Sequence, residues 1–275
     1  MFAVNKLNMR KPVFYIVFIL LTSLFLKKGF SQTTLAFDRG ETLKYWAYYD
    51  APLLGKVYAG KATLKITKDR DQFNGRNTFH AIGTGRTIST FDFFFKVRDQ
   101  FESWFDEQSL QPYRFSRRTS EGGYVVEDDV DFDYTKMIAR SRKKEVGIGL
   151  NTQDLVSAYY FARNLNIDSL QIEDQFPIDF YLDDSVYTSV IIYKGIEIVE
   201  TSIGKFRCMK FMPMVVTGEV FDNPYPMSLW ITDDKNRIPV LIKSEVIVGS
   251  IKGELFEYKK LKYPMDAKLN RKNKK

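Results

Sequence analysis

What most restricts the fold of this chain is a period of two. Leu43, Tyr45, Ala47 and Tyr49 alternate with Lys44, Trp46 and Tyr48, and similar runs rich in Val, Ile, Thr and Tyr recur along the chain. On an extended backbone every second side chain points to the same face, so such runs suit a half-buried sheet. Aromatic residues make up 15% of the sequence and sit in these runs, where they supply the bulk a sheet needs to bury its inner face.

Strands are predicted over 43–49, 57–67, 78–84, 97–105, 112–119, 124–132 and 137–143. They continue over 178–182, 186–193, 196–201, 206–212, 227–231, 240–246 and 252–258. Their connectors are short and carry turn residues: Ser120-Glu121-Gly122-Gly123, Lys194-Gly195, Ile203-Gly204-Lys205 and Asp233-Asp234-Lys235-Asn236. Parallel neighbours would need crossovers of about a dozen residues or more, so the strands are expected to be antiparallel. One segment has a helical period instead. Leu155, Ala158, Tyr159, Ala162 and Leu165 share a stripe within 152–165, with Thr152 as the predicted N-cap. That helix divides two strand-rich stretches, 35–150 and 170–265, and a shorter helix or turn is predicted over 89–95. About fourteen strands exceed what a strongly twisted open sheet holds without curling or splitting. The expected fold is therefore mainly β: a large curved antiparallel sheet forming a closed or half-closed barrel, or two packed β lobes, with one helix near 152–165.

The N-terminus reads as a targeting segment. Lys6, Arg10 and Lys11 precede an apolar run from Val13 to Leu26, about 14 residues long, whereas a membrane-spanning helix needs roughly 20. Gly29 and Ser31 provide the small residues a signal peptidase requires, so residues 1–31 are expected to be removed before Gln32 and the mature protein to be periplasmic or secreted. Lys27 and Lys28 behind the run are what an uncleaved anchor would show. Residues 32–267 are expected to form a single β domain, or one divided into two lobes at 35–150 and 170–265, and the basic residues 268–275 a solvated, disordered tail.

The net charge of +7 comes from the two ends. Of the 41 basic residues, Lys6, Arg10, Lys11, Lys27 and Lys28 lie in the leader and Lys268, Arg271, Lys272, Lys274 and Lys275 in the tail, leaving 31 against 34 acidic residues between them. The body thus lacks the positive field that nucleic-acid binding draws on, and no nucleic-acid partner is expected.

Catalytic chemistry has little to work with. The chain has one His and one Cys. A zinc site needs three or four nitrogen or sulfur ligands, and a triad needs a marked nucleophile, so no metal, cofactor or catalytic residue is expected and the protein is not expected to be an enzyme. His80 and Cys208 are read as strand residues, Cys208 buried as a small hydrophobe. Along Glu127-Asp128-Asp129-Val130-Asp131-Phe132-Asp133, four acids share one strand face. A hairpin at Tyr134-Thr135 would set Asp129 opposite Arg140 and Glu127 opposite Arg142, making an ion-pair ladder rather than a calcium site. Gly147-Ile148-Gly149 lacks the rest of a phosphate or dinucleotide loop and is read as a turn or helix approach. The unusual stretch is Phe91-Asp92-Phe93-Phe94-Phe95. Four phenylalanines in five positions cannot all enter one core from a strand, so Phe91, Phe93, Phe94 and Phe95 are the candidate ligand-contacting residues, with a core plug or membrane contact as the other readings.

The chain resembles an exported bacterial family, domain of unknown function 3108. The resemblance rests on Ala36-Phe37-Asp38-Arg39-Gly40-Glu41-Thr42-Leu43-Lys44-Tyr45, on Asp154-Leu155-Val156-Ser157-Ala158-Tyr159-Tyr160, on Gly204-Lys205-Phe206-Arg207-Cys208, and most specifically on Leu229-Trp230-Ile231-Thr232-Asp233-Asp234-Lys235-Asn236-Arg237-Ile238-Pro239-Val240. It covers essentially the whole mature chain, and none of its motifs is tied to a reaction. More distantly the family looks like periplasmic lipoprotein-carrier β-barrels, a likeness of fold that transfers no residues. Apart from the family, residues 229–240 read as a hairpin, with Arg237 near the turn acids and Pro239 on an edge. The expected function is non-catalytic binding of an apolar or lipidic group or a partner peptide in the cell envelope. The alternatives are an envelope interaction module without a cavity and, more weakly, a carboxylate-based hydrolase.

Overall fold

A computed structural model describes residues 34–269, except 52, 54, 168, 214–226 and 246–248. The predicted leader, residues 1–31, and its cleavage point lie outside the described residues, as do residues 270–275 of the predicted tail.

The period of two becomes a meander in which strands pair with their sequence neighbours. The first stretch contributes β1 (Thr42–Ala51), β2 (Gly55–Ile66), β3 (Asp71–Phe73), β4 (Arg76–Thr87), β5 (Val97–Asp106), β6 (Pro112–Glu121), β7 (Tyr124–Asp133), β8 (Ile138–Arg140) and β9 (Glu145–Gly147). The second contributes β10 (Gln175–Leu182), β11 (Ser185–Thr201), β12 (Gly204–Pro213), β13 (Met227–Thr232), β14 (Pro239–Glu245), β15 (Ser250–Lys259) and β16 (Lys268–Leu269). β15 pairs with β1, from Thr42 opposite Lys259 to Asp50 opposite Ser250, so both stretches join in one antiparallel sheet. β3 clips onto β4 and β16 onto β12. The last pairing corrects the expectation of a solvated tail for Lys268 and Leu269, which face Phe206 and Lys205.

The sheet curls without closing its ladder. β9 and β10 are its two ends, and no backbone pairing joins them among the described residues. Other groups span the seam. Gln153 donates its amide to the Asp179 carbonyl and accepts from the Tyr181 amide, both at 2.8 Å. The turn after β10 places Asp183 2.8 Å from the Arg117 guanidinium on β6, and Asp184 accepts from Ser141 at 2.6 Å and from Tyr181 at 2.8 Å. This is the half-closed form of the expected barrel.

Two helices interrupt the meander, α1 (Ser89–Asp92) and α2 (Leu155–Ala162). α2 starts later than its sequence stripe predicts because Asp154, not Thr152, is the N-cap. The Asp154 carboxylate accepts from the Val156 amide at 2.7 Å and the Ser157 amide at 2.8 Å, and the Ser157 hydroxyl accepts from the Asp154 amide at 2.9 Å. These reciprocal bonds satisfy helix-end amides that would otherwise be orphaned. Thr152 serves the preceding turn instead, accepting from the Gly149 amide at 2.8 Å. The inner side of α2 docks through Tyr160, whose ring lies 4.8 Å from Phe37 and 5.5 Å from Phe105. All three are fully buried, and each such ring stabilises the fold by roughly 1.5–3 kcal/mol relative to exposure.

Four local predictions need correction. Lys194-Gly195 is not a turn but a β-bulge inside the long β11, where Gly195 takes φ 102°, a region that favours glycine. The predicted strand 137–143 ends at Arg140 as the short β8, and the chain turns at 141–144 into β9, which folds back on it. The hairpin after Asp133 is longer than Tyr134-Thr135: Asp131 sits opposite Arg140, two residues from the predicted register. Asp129 consequently meets Arg142 at 2.7 Å, and it also accepts two bonds from Arg118 at 2.8 Å, so the ion pairs form with partners from both neighbours. Pro239 is not on an edge, because β14 is paired on both sides; it is tolerated as the strand's first residue, opposite a bulge at Trp230/Ile231.

Candidate functional site

Two of the family-like motifs, 36–45 and 229–240, converge with Arg163 on one buried polar knot at the end of α2. Arg163, the C-cap residue, donates to Glu41 at 2.6 and 2.9 Å, to the Asn236 carbonyl at 2.8 and 3.1 Å, and to the Ala36 carbonyl at 3.2 Å. Both charged side chains are 1% exposed. The Asn164 side chain accepts from the Ala36 amide at 2.8 Å, and the Asn236 side chain donates to the carbonyls of Tyr263 and Pro264. The entering segment, the helix end and the 233–237 turn are thereby locked together. Arg237 completes the knot. It lies close to the turn acids as predicted, its backbone amide 3.3 Å from the Asp234 carboxylate, while its guanidinium donates to the carbonyls of Arg163 at 3.2 Å and Leu165 at 2.6 Å, at the negative end of the helix dipole.

Holding α2 in this way leaves a space between it and β10–β14. The cavity measures about 400 Å³. Its wall follows from register, since each strand offers alternate residues: Phe176, Ile178 and Phe180 from β10, Ser189 and Ile191 from β11, Met209, Phe211 and Pro213 from β12, and Leu229 and Ile231 from β13. Cross-strand pairing stacks them in rows. Phe176 faces Ile191, Ile191 faces Pro213, Met209 faces Ile231 and Phe211 faces Leu229. α2 supplies Leu155, Ala158, Tyr159 and Ala162, spaced to share one helical side. Among the described residues the polar lining consists of Tyr159, Arg163, Ser189 and Arg237, and no carboxylate lines the space. Arg163 enters it with its charge already matched by Glu41.

Elsewhere the titratable groups are committed to structure. His80 stacks on Trp104 at 4.2 Å and bonds Glu102 at 2.7 Å. Cys208 is fully buried, and that burial pushes its thiol up to about 12. Burial likewise raises the Asp154 carboxyl to about 6, against the opposing pull of the Ser103 hydroxyl at 2.5 Å and the helix amides. Among the described residues no group of three or more His, Cys, Asp or Glu could hold a metal ion.

The predicted phenylalanines do not line the cavity. Phe93 is 88% exposed and Phe94 78% exposed, with Phe95 beside them and Phe91 half-buried, at the α1 tip between β4 and β5. The cavity residues were missed although their alternation is visible in the sequence. Alternation marks a face; whether that face meets a packed neighbour or a space depends on where α2 is anchored, and the anchor is the long-range Glu41–Arg163–Asn236 contact.

Together these features define a class of protein, a half-closed antiparallel β-barrel with an apolar cavity beneath its helix. Residues 44–255 match the family described as Protein of unknown function (DUF3108), and the chain belongs to that family. Its structure is similar to that of a β-barrel-like protein of domain of unknown function DUF1849 from Brucella abortus, with a TM-score of 0.54 and 12% identity over 81% of this chain and 98% of that one. It is also similar to a protein with a YmcC-like fold from Bacteroides fragilis, with a TM-score of 0.32 and 11% identity over 82% and 97% of the two chains. At such identities the first likeness concerns fold alone. No curated protein matches the chain.

Proposed function

We propose that this protein is an exported, non-catalytic binder of an apolar or lipidic group, which it holds between α2 and β10–β14. The observation that carries this reading is the wall of that cavity, built mainly from aliphatic, aromatic and methionine side chains and, among the described residues, free of carboxylates. Its size falls within the roughly 300–1,000 Å³ of small-molecule sites, which bind largely by removing apolar surface from water. The non-catalytic part is supported by the commitment of His80 to Trp104 and Glu102 and by the burial of Cys208. Export is supported by the basic, apolar and small-residue order of residues 6–31.

The test is titration with a fluorescent fatty acid. Ala158→Trp places an indole in the cavity from a helix position that is already half-exposed, and should weaken probe binding at least tenfold while thermal unfolding stays close to wild type. Equal affinity in the two proteins would reject the cavity as the binding site.

A further inference from the structure

The hairpin ends of the sheet are segregated by polarity. β1–β2, β4–β5 and β6–β7 turn at one end, as the pairings of Gly60 with Thr87 and Val97 with Glu121 require. At that end Leu53 is 97% exposed, Phe93 and Phe94 almost as much, Tyr124 72% and Val125 60%. The opposite turns of the same strands expose Lys68, Asp69, Arg70, Gln108, Ser109, Thr135 and Lys136. Two of the apolar tips form one platform. The Phe95 ring lies against Gly122, where a Cβ would collide with it, and the Gly122 amide donates to the Lys96 carbonyl at 2.9 Å. The Phe93 and Phe94 rings meet edge to face at 5.4 Å, and the Asp92–Arg98 ion pair at 2.5 Å fixes the base of the loop.

We propose that this end of the sheet docks on a phospholipid bilayer, with Phe93, Phe94, Tyr124 and Leu53 entering the headgroup region of an anionic leaflet. The exposed rings and Leu53 stand at the tips of turns, a placement that suits insertion between lipid headgroups. Aromatic rings favour the interface, where an apolar body and nearby polar groups are both accommodated. The choice of occupant rests on charge. Arg86 and Lys96 are exposed beside the phenylalanines and outside the ion pairs found among the described residues. Two copies meeting tip to tip would bring these cations together, whereas anionic headgroups neutralise them. The inference does not depend on the cavity.

Cys208 is the sole cysteine and is buried, so a new surface cysteine in the full chain can carry an environment-sensitive dye selectively. Leu53→Cys reports on the apolar end and Ser109→Cys on the opposite end. On vesicles of phosphatidylcholine with a minority of phosphatidylglycerol, the Leu53 dye should shift to the blue and be quenched by acyl-brominated lipid, and the Ser109 dye should not. Adding Phe93→Ser and Phe94→Ser should raise the lipid needed for half-response at least about tenfold, given the burial each ring loses. Because the readout is local to the dye, the apolar run of residues 13–26, common to all variants, does not produce it. Both rings are exposed, so an unchanged thermal transition will show that the double variant folds. An equal response at both ends, no response at Leu53, or indifference to the serine substitutions would overturn the proposal. So would a dimer that the serine substitutions dissociate without any dye response to lipid.

Discussion

Glu41→Ala removes one half of the buried knot, and its cost follows from what it leaves behind. Arg163 stays 2% exposed with its guanidinium facing the Ala36 and Asn236 carbonyls, but with no carboxylate to balance its charge. Breaking a buried ion pair from one side costs about 3–5 kcal/mol, because the surviving charge remains desolvated. The carbonyls offer Arg163 partial compensation, which places the expected loss toward the lower end of that range. Urea unfolding followed by far-ultraviolet circular dichroism measures it as a shift in midpoint at unchanged slope. The paired substitution Glu41→Leu with Arg163→Met should recover much of the loss, since two apolar side chains of similar volume replace both desolvated charges. A loss below about 1 kcal/mol for Glu41→Ala would refute the argument that this ion pair anchors the end of α2.

Asp154→Asn tests the raised carboxyl. The native value of about 6 against an ordinary 3.8 penalises the ionised folded state by about 3 kcal/mol at neutral pH, and that penalty fades as pH falls from about 6 to about 4. Wild-type stability should therefore gain on the asparagine variant as pH drops through this window, the amide oxygen keeping the helix cap; a wild-type-minus-variant difference that is flat with pH would sink this reading. Cys208 should resist iodoacetamide at neutral pH in the folded protein and react on unfolding, as its burial and thiol value of about 12 require; rapid native labelling, read by intact mass, would contradict the packing around it.

The strands were legible because alternation is a local signal: β5, β6, β7 and β12 lie within a few residues of the segments predicted from it. Register across turns was less so. One misjudged turn length after Asp133 moved Asp129 from Arg140 to Arg142, since every residue added to a hairpin turn shifts the whole ladder. Capping was read two residues too early at Thr152, because either Thr152 or Asp154 can cap a helix and the choice falls to Ser157, which completes the reciprocal bonds, and to Gln153, which is drawn into the seam. The candidate site was least legible of all. The phenylalanine run is conspicuous in the sequence but stands in solvent, whereas the cavity draws its wall from five strands and a helix separated by long stretches of chain. Its existence depends on contacts such as Glu41 with Arg163, which no local pattern announces.

The most direct test of the cavity as the binding site is photocrosslinking with a diazirine-bearing fatty acid, followed by mass spectrometry of the peptides. The expected products lie on α2 and on β10 to β13, at residues such as Leu155, Phe176, Ile191, Met209 and Leu229, and are suppressed by unlabelled fatty acid. Saturable labelling confined to Phe93, Phe94 and the neighbouring tips, with none on α2 or β10 to β13, would contradict it.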